Sequence, residues 1–398
     1  MSQVTAETGI PVAGQETIAP SRGLQLLRPL QLAGPFVVAL IVGAIVLAAS
    51  GRDAAGTYWL LLQQSLGGPT EIANTLVAAT PVLLTGLATA IAFRSGMFNV
   101  GVEGSLYVGA FAAAWAGFTL TRLPGPIVIL VAVVLAGLAG AVWALIPGIL
   151  RAQWRVDEVV TTLMLNYVAI LLTSWLVNYF FLAPDIANSM SPLIASDARL
   201  APLLPRSQLT IAFLLALVVT LLYAYLFNRA TIGYQLRMTG LNPRFARAVG
   251  INLGRSIIVV FLLSGLIGGF AGGLQILGVN YRFIDHFSPG YGFTGIAVAL
   301  LGRGHPAGIL LSALFFGALS NGGAMIQLFS DIPLDLINIL QGVVMIFAVI
   351  ELSRLPACLT RCSGCWRPPR RPRPPSCSPP WVAWSTARVA SSISGWNR

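Results

Sequence analysis

The sequence contains no lysine, and all 24 basic side chains in its 398 residues are arginine. A phosphate-binding loop of the P-loop type needs its lysine to reach the nucleotide phosphates. Because this chain supplies none, it cannot itself be a P-loop ATPase.

Charged residues of either sign are scarce. They make up 9% of the chain, against about 25% in an average soluble protein. Apolar residues reach 56%, and the mean hydropathy is +0.80. So few polar side chains could not cover the core in water. The composition nearly excludes a soluble enzyme and favours an integral membrane protein.

The net charge of +11 is concentrated at the C-terminus, where residues 358–398 carry seven arginines and no acid. Since the rest of the chain is apolar, we expect no nucleic-acid partner. The Arg, Pro and Cys content, with no amphipathic period, predicts a disordered tail over 355–398. We hypothesise that a shifted reading frame produced this tail.

Cysteines occur only at Cys358, Cys362, Cys365 and Cys377, so disulfides contribute nothing to the rest of the fold. Their spacing fits zinc motifs poorly, and we expect no metal site and no cofactor. The chain has two histidines and neither a His-Glu-x-x-His nor a Gly-x-Ser-x-Gly motif. These absences argue against an enzyme.

Apolar runs long enough for membrane spans recur along the chain. A transmembrane helix needs roughly 20 apolar residues. We predict an all-α, polytopic membrane protein with about 9–10 transmembrane helices over 32–354, preceded by a cytoplasmic segment, 1–31. One run, Gly290–Gly302, is too short to span. The ten runs are 32–50, 71–93, 98–118, 126–150, 158–182, 208–227, 257–279, 290–302, 307–329 and 333–350.

Arginine placement predicts the orientation, because cytoplasmic loops are enriched in basic residues. The loop 228–256 carries five arginines and no acid. This pattern places that loop and the N-terminus inside. Glycines at 265, 268, 269, 272 and 273 are spaced for close packing between helices.

The stretch 94–109 predicts a broken or re-entrant helix. Four glycines interrupt it, and it also holds Asn99 and Glu103. A carboxylate at membrane depth costs roughly 3 kcal/mol, so Glu103 should face protein or water. Asn99 and Glu103 either line a polar path for the substrate, or they only form hydrogen bonds within the bend and never meet the substrate. Asn166 and Asn280 are further path candidates that could equally join helices.

The loop 228–256 predicts a short cytoplasmic helix. Gly240 and Pro243 mark turns, Asn242 is suited to cap a helix over 243–249, and Gly250 is suited to end it. Such a helix is a natural docking element for a soluble partner. The alternative is a solvated basic loop near anionic lipid headgroups.

The stretch 96–109 resembles the signature of ABC-importer permeases of the nucleoside, basic-membrane-protein-linked group, within the class of ribose and branched-chain amino-acid permeases. The stretches 278–283 and 292–306 agree with that family. Ser105 departs from the pattern, since the family leads us to expect glutamine there. The resemblance covers roughly 72–351.

The resemblance implies a multi-pass permease subunit of the bacterial plasma (inner) membrane that imports nucleosides. It implies as partners a cytoplasmic ABC ATPase, a second homologous permease and an extracytoplasmic substrate-binding lipoprotein. ATP hydrolysis would lie on the separate ATPase chain. The alternatives are an ABC permease for a sugar or branched-chain amino acid, and a stand-alone secondary transporter using Glu103.

The loop 240–251 resembles the ATPase-coupling loop of this family. The resemblance implies that six of its residues form the contact with the ATPase. They are Gly240, Asn242, Pro243, Ala246, Ala248 and Gly250.

Overall fold

The computed structural model describes residues 53–184, 188–204 and 207–329, with isolated positions between 41 and 48 and between 339 and 343. The predicted segments 1–31 and 355–398 lie outside the described residues. So do most residues of the first and last predicted spans.

Within 53–329 the described chain is built from eleven α-helices, and it contains two isolated β-bridges but no strand. The end of α9 continues as a π-helical turn, Ile276–Asn280. The helices are α1 (Ala54–Leu66), α2 (Pro69–Arg94), α3 (Val102–Thr119), α4 (Gly125–Trp154), α5 (Glu158–Phe180), α6 (Ala212–Arg229), α7 (Thr231–Leu241), α8 (Pro243–Ala248), α9 (Leu253–Gln275), α10 (Tyr291–Leu301) and α11 (Pro306–Phe329).

Six of these helices, counted within the described part of the chain, are long and apolar enough to cross a membrane. They are α2, α4, α5, α6, α9 with its π-helical extension, and α11. The prediction of an all-α polytopic membrane protein is therefore confirmed. The short run is confirmed too: α10 has 11 residues, and at 1.5 Å per residue it extends only about 16 Å.

The helix α9 packs closely against α3 and α4 through small residues. A methyl group added at Gly269 would lie 2.1 Å from the carbonyl oxygen of Ala136, and one at Gly265 would lie 2.4 Å from that of Gly140. The backbones of α4 and α9 therefore touch, as the glycine spacing predicts.

Two helices were not predicted. α1 has 13 residues, too few for the length criterion of a span. α7 has mixed polarity and lies where only a loop was expected. The turn predicted at Gly240 is wrong, because this residue lies in the last turn of α7. Glycine weakens a helix by about 1 kcal/mol relative to alanine, but here it allows a close backbone contact described below.

The ends of α2, α6 and α7 meet on one side, near the start of α9. We call this side, which carries α7 and α8, the inner end, and the opposite side the outer end. The arginine content of 228–256 predicts that the inner end is cytoplasmic.

Candidate functional site

The predicted break is present between α2 and α3, where residues 95–101 leave the helical conformation. Asn99 is buried in it and bonds in two directions. Its Nδ2 donates to Ser264 Oγ on α9 at 2.8 Å, and its Oδ1 accepts from the Gly101 amide at 2.9 Å. The Ser264 hydroxyl in turn donates to the Ala88 carbonyl on α2 at 2.8 Å. The break is therefore fixed to two neighbouring spans.

Asn166 on α5 holds the start of α3. Its Oδ1 accepts from the Gly104 amide at 2.8 Å, and its Nδ2 donates to the Val100 carbonyl at 2.9 Å. The first amides of a helix have no partner within the helix. Asn166 supplies the missing acceptor for one of these amides, that of Gly104, from across the helix interface. Its side chain is buried.

Glu103 joins the start of α3 to the start of α10. Only 2% of its surface is exposed. Its Oε2 accepts a hydrogen bond from the Gly292 amide, in the first turn of α10. Ser288 also hydrogen-bonds the carboxylate. A negative group at a helix N-terminus is stabilised by the unpaired amides and the helix dipole, so Glu103 holds the short helix α10 in place.

The four path candidates do not form one group. Asn99, Glu103 and Asn166 meet around the break, whereas Asn280 lies at the outer end of the π-helical turn. Gln275 Nε2 donates to Asn280 Oδ1 at 3.4 Å. Asn280 is 16 positions beyond Ser264, the partner of Asn99, which corresponds to about 24 Å along a helix. That these four residues contact a transported molecule stays a prediction.

The predicted inner helix is confirmed as α8, which begins at Pro243 and ends at Ala248. Asn242 caps it, with Oδ1 accepting from the Phe245 amide at 3.0 Å. Gly250 follows with a φ of 86°. Of the six residues that the resemblance implies, Ala246 is buried, Gly240 is partly buried, and Asn242, Pro243, Ala248 and Gly250 are exposed.

An apolar ridge runs along α8 and its two ends. Leu241, Phe245 and Val249 recur every four residues and are 71%, 49% and 54% exposed. Arg244 and Arg247 lie between them and are also exposed. The four-residue spacing of Phe245 and Val249 is the signal for one helical face, whereas Leu241 ends α7 and is separated from α8 by the extended Asn242. We call Leu241, Phe245 and Val249 the α8 ridge.

The end of α7 touches the break directly. A methyl group at Gly240 would lie 2.6 Å from the Ser95 carbonyl carbon and 2.7 Å from the Gly96 nitrogen. Gly96 has a φ of 70°, in the left-handed region that favours glycine. The two backbones meet with no side chain between them.

A second inner contact joins α2, α6 and the turn between α10 and α11. Tyr223 Oη donates to the Gly304 carbonyl at 2.7 Å, and the Arg94 guanidinium lies 4.7 Å from the centre of the Phe227 ring. Arg94 also reaches the Gly304 carbonyl at 3.4 Å. The inner parts of α2 and α6 are thus linked to the turn between α10 and α11.

Comparisons with known proteins identify relatives. Residues 71–349 match the protein family described as the permease component of the branched-chain amino acid transport system. The chain is 33% identical over 318 residues to a guanosine ABC transporter permease of Bacillus subtilis, covering 78% of this chain and 90% of the relative.

One further relative is a sugar permease and another is a nucleoside permease. The chain is 32% identical over 323 residues to a glucose ABC transporter permease of Haloferax volcanii, covering 79% of this chain and 85% of the relative. It is 30% identical over 324 residues to a nucleoside ABC transporter permease of Lactococcus lactis, covering 79% and 89%.

Proposed function

We propose that this chain, which belongs to the family of permease components of branched-chain amino acid transport systems, imports nucleosides as the membrane-spanning subunit of an ABC importer in the bacterial plasma membrane. The observation that carries the proposal is the similarity to a guanosine permease over 90% of that relative's length. A nucleoside permease at 30% identity supports the same cargo.

A sugar is the second candidate cargo. The glucose permease favours this candidate, because it is 32% identical to this chain and the guanosine permease is 33% identical. Guanosine and glucose share neutral charge and several hydroxyl groups, so a path that fits one has chemistry in common with a path for the other.

A stand-alone secondary transporter receives less support from the geometry. Such a protein would need an acid that exchanges ions with water. Glu103 is buried and engaged by Ser288 and the first turn of α10. A carboxylate held in this way is suited to fixing a helix rather than to releasing and rebinding an ion.

The partner at the inner end is a cytoplasmic ABC ATPase. The α8 ridge presents apolar side chains where the arginine-based orientation predicts water, and covering them would stabilise a complex by the hydrophobic effect. Gly240, Asn242, Pro243, Ala246, Ala248 and Gly250 shape the segment that carries this ridge. ATP hydrolysis then lies on the ATPase chain.

Two further partners complete the importer. A second homologous permease packs beside this chain in the bilayer, and a substrate-binding lipoprotein delivers cargo at the outer end. The family resemblance supports both partners, and α5, the least buried of the six candidate spans, leaves room for a neighbouring chain.

Uptake of labelled guanosine tests the cargo. Cells that express the whole importer should accumulate guanosine, and deletion of this chain alone should abolish that accumulation. An excess of unlabelled nucleoside should compete, whereas an excess of glucose should not. Equal guanosine uptake with and without the chain would contradict the nucleoside assignment.

A further inference from the structure

The segment 281–290 connects the π-helical turn to α10 without forming a helix. It runs beside α3: the rings of Phe283 and Phe111 are 5.8 Å apart, and those of Phe287 and Tyr107 are 4.9 Å apart. The segment then reaches Gly292, next to Glu103. Because it runs beside residues 103–111 of α3, which packs against the candidate spans α4 and α9, this non-helical backbone lies among the spans.

Non-helical backbone at membrane depth must be satisfied by protein or must line a water-filled cavity. Part of this segment is satisfied by the chain near Ser191, which bonds the backbone of Phe283 from both sides. His286 is different, because 69% of its side chain is exposed. An imidazole at this depth is costly against lipid, so His286 faces water or another protein chain.

Asp285 is the centre of a polar cluster on this face. Ser174 on α5 donates to its Oδ2 at 2.9 Å, and His286 Nδ1 lies 3.1 Å from its Oδ1. Asn178 Nδ2 reaches both the carbonyl and the hydroxyl of Ser174, at 2.9 and 3.3 Å. Asp285 Oδ1 is buried and forms no hydrogen bond of good geometry within the described chain, so the imidazole of His286 lies beside it as a close neighbour.

Two exposed aromatic side chains follow Ser174 and Asn178 by one position each on α5. Trp175 and Tyr179 lie on the same part of α5 as Ser174 and Asn178, with ring centres 6.3 Å apart. Aromatic rings pack well against flat or apolar faces of a ring compound. This part of α5 therefore carries hydrogen-bonding and aromatic side chains at neighbouring positions.

We propose that Asp285, His286 and Ser174 form a contact site for a neutral, hydroxyl-bearing ring compound in the outer part of the translocation path. Trp175 and Tyr179 pack against its ring. This inference rests on the proposed function, which supplies the path. The exposed imidazole of His286 hydrogen-bonds a hydroxyl of the cargo, Asp285 lies beside the imidazole at 3.1 Å, and Ser174 positions Asp285. The negative charge of the Asp285 carboxylate disfavours anionic cargo.

The central test is His286→Gly in the whole importer. His286 has a φ of 53°, so glycine removes the imidazole and suits the backbone. Loss of one hydrogen bond should lower the rate of cargo import by roughly three- to tenfold. The amount of permease in the membrane and the ATP hydrolysis without cargo should not change.

Two companion variants sharpen the test. Ser174→Ala should lower import in the same direction, since Asp285 loses its partner. Thr173→Val is the matched control: the Thr173 hydroxyl donates to the Ala169 and Ile170 carbonyls of its own helix, so its loss should leave import unchanged.

Labelled guanosine and labelled glucose are both assayed, which separates this inference from the nucleoside assignment. Import of glucose alone would contradict nucleoside transport but would still test the site on glucose. Normal import of the wild-type cargo by both His286→Gly and Ser174→Ala would overturn the site. No import of either compound by the wild type would overturn both proposals.

Discussion

The buried carboxylate of Glu103 shows how a single side chain determines local structure. It supplies an acceptor to the first turn of α10, a helix of 11 residues that begins beside α3 inside the membrane domain. Without that acceptor, the Gly292 amide would lose its partner in a buried place, which costs about 1–3 kcal/mol. Because α10 is only 11 residues long, this one contact matters for its position.

We predict that Glu103→Ala lowers the stability of the protein. Removal of the acceptor should cost about 1–3 kcal/mol and reduce the melting temperature of the purified protein in detergent. Glu103→Gln should cost less, because its amide oxygen can still accept from Gly292. Equal melting temperatures for Glu103→Ala and the wild type would contradict this role.

Gly240 gives a second prediction at this scale. Gly240→Ala would place a methyl group 2.6 Å from the Ser95 carbonyl carbon, so α7 must move away from the break. Transport, measured as guanosine uptake, should fall several-fold. Gly254→Ala is the matched control, because its methyl group would have only Asn252 Oδ1 nearby, at 3.5 Å.

At the scale of the elements, α8 is a short helix that carries exposed apolar side chains. It has six residues and is held by the Asn242 cap and by buried Ala246. A helix this short is marginal in isolation. Its connection through α7 to the break keeps it in a fixed place, as the ATPase docking that we propose requires.

We predict that Phe245→Ala weakens association with the ATPase. The phenyl ring is the largest side chain of the α8 ridge, and its loss removes apolar area worth about 1–3 kcal/mol of burial. Co-purification of the ATPase through a tag on this chain measures the effect. Leu222→Ala, exposed on the spanning helix α6, is the control and should leave co-purification intact. If Phe245→Ala co-purifies as much ATPase as the wild type does, the α8 ridge is not the docking surface.

Local sequence signals predicted several elements well. The Asn-Pro pair predicted α8, and the short apolar run 290–302 agrees with α10 to within one residue at each end. Glycines around polar residues predicted the break. Each of these signals lies within a few positions of the feature that it determines.

Other features depend on contacts between distant parts of the chain. Ser174 and Asp285 are 111 positions apart, and no local pattern pairs them. The same holds for Gly240, which was interpreted as a turn because its close contact with Ser95 and Gly96 cannot be read from the sequence. α1 and α7 were missed because neither has the length of a span.

For the whole molecule, continuous contacts link the inner surface to the membrane interior. α7 touches the break through Gly240, the break leads into α3, and Glu103 on α3 holds the start of α10. The turn after α10 returns to Arg94 and Tyr223 at the inner end. A displacement of α8 by the ATPase that we propose as its partner would therefore reach both ends of α10.

Reconstitution into liposomes tests most directly whether this chain is a permease driven by a separate ATPase. The chain together with its ATPase, second permease and binding lipoprotein should accumulate labelled guanosine only when ATP is supplied on the ATPase side. The chain alone should accumulate none under any ion gradient. Accumulation by the chain alone, driven by a proton or sodium gradient, would contradict the account.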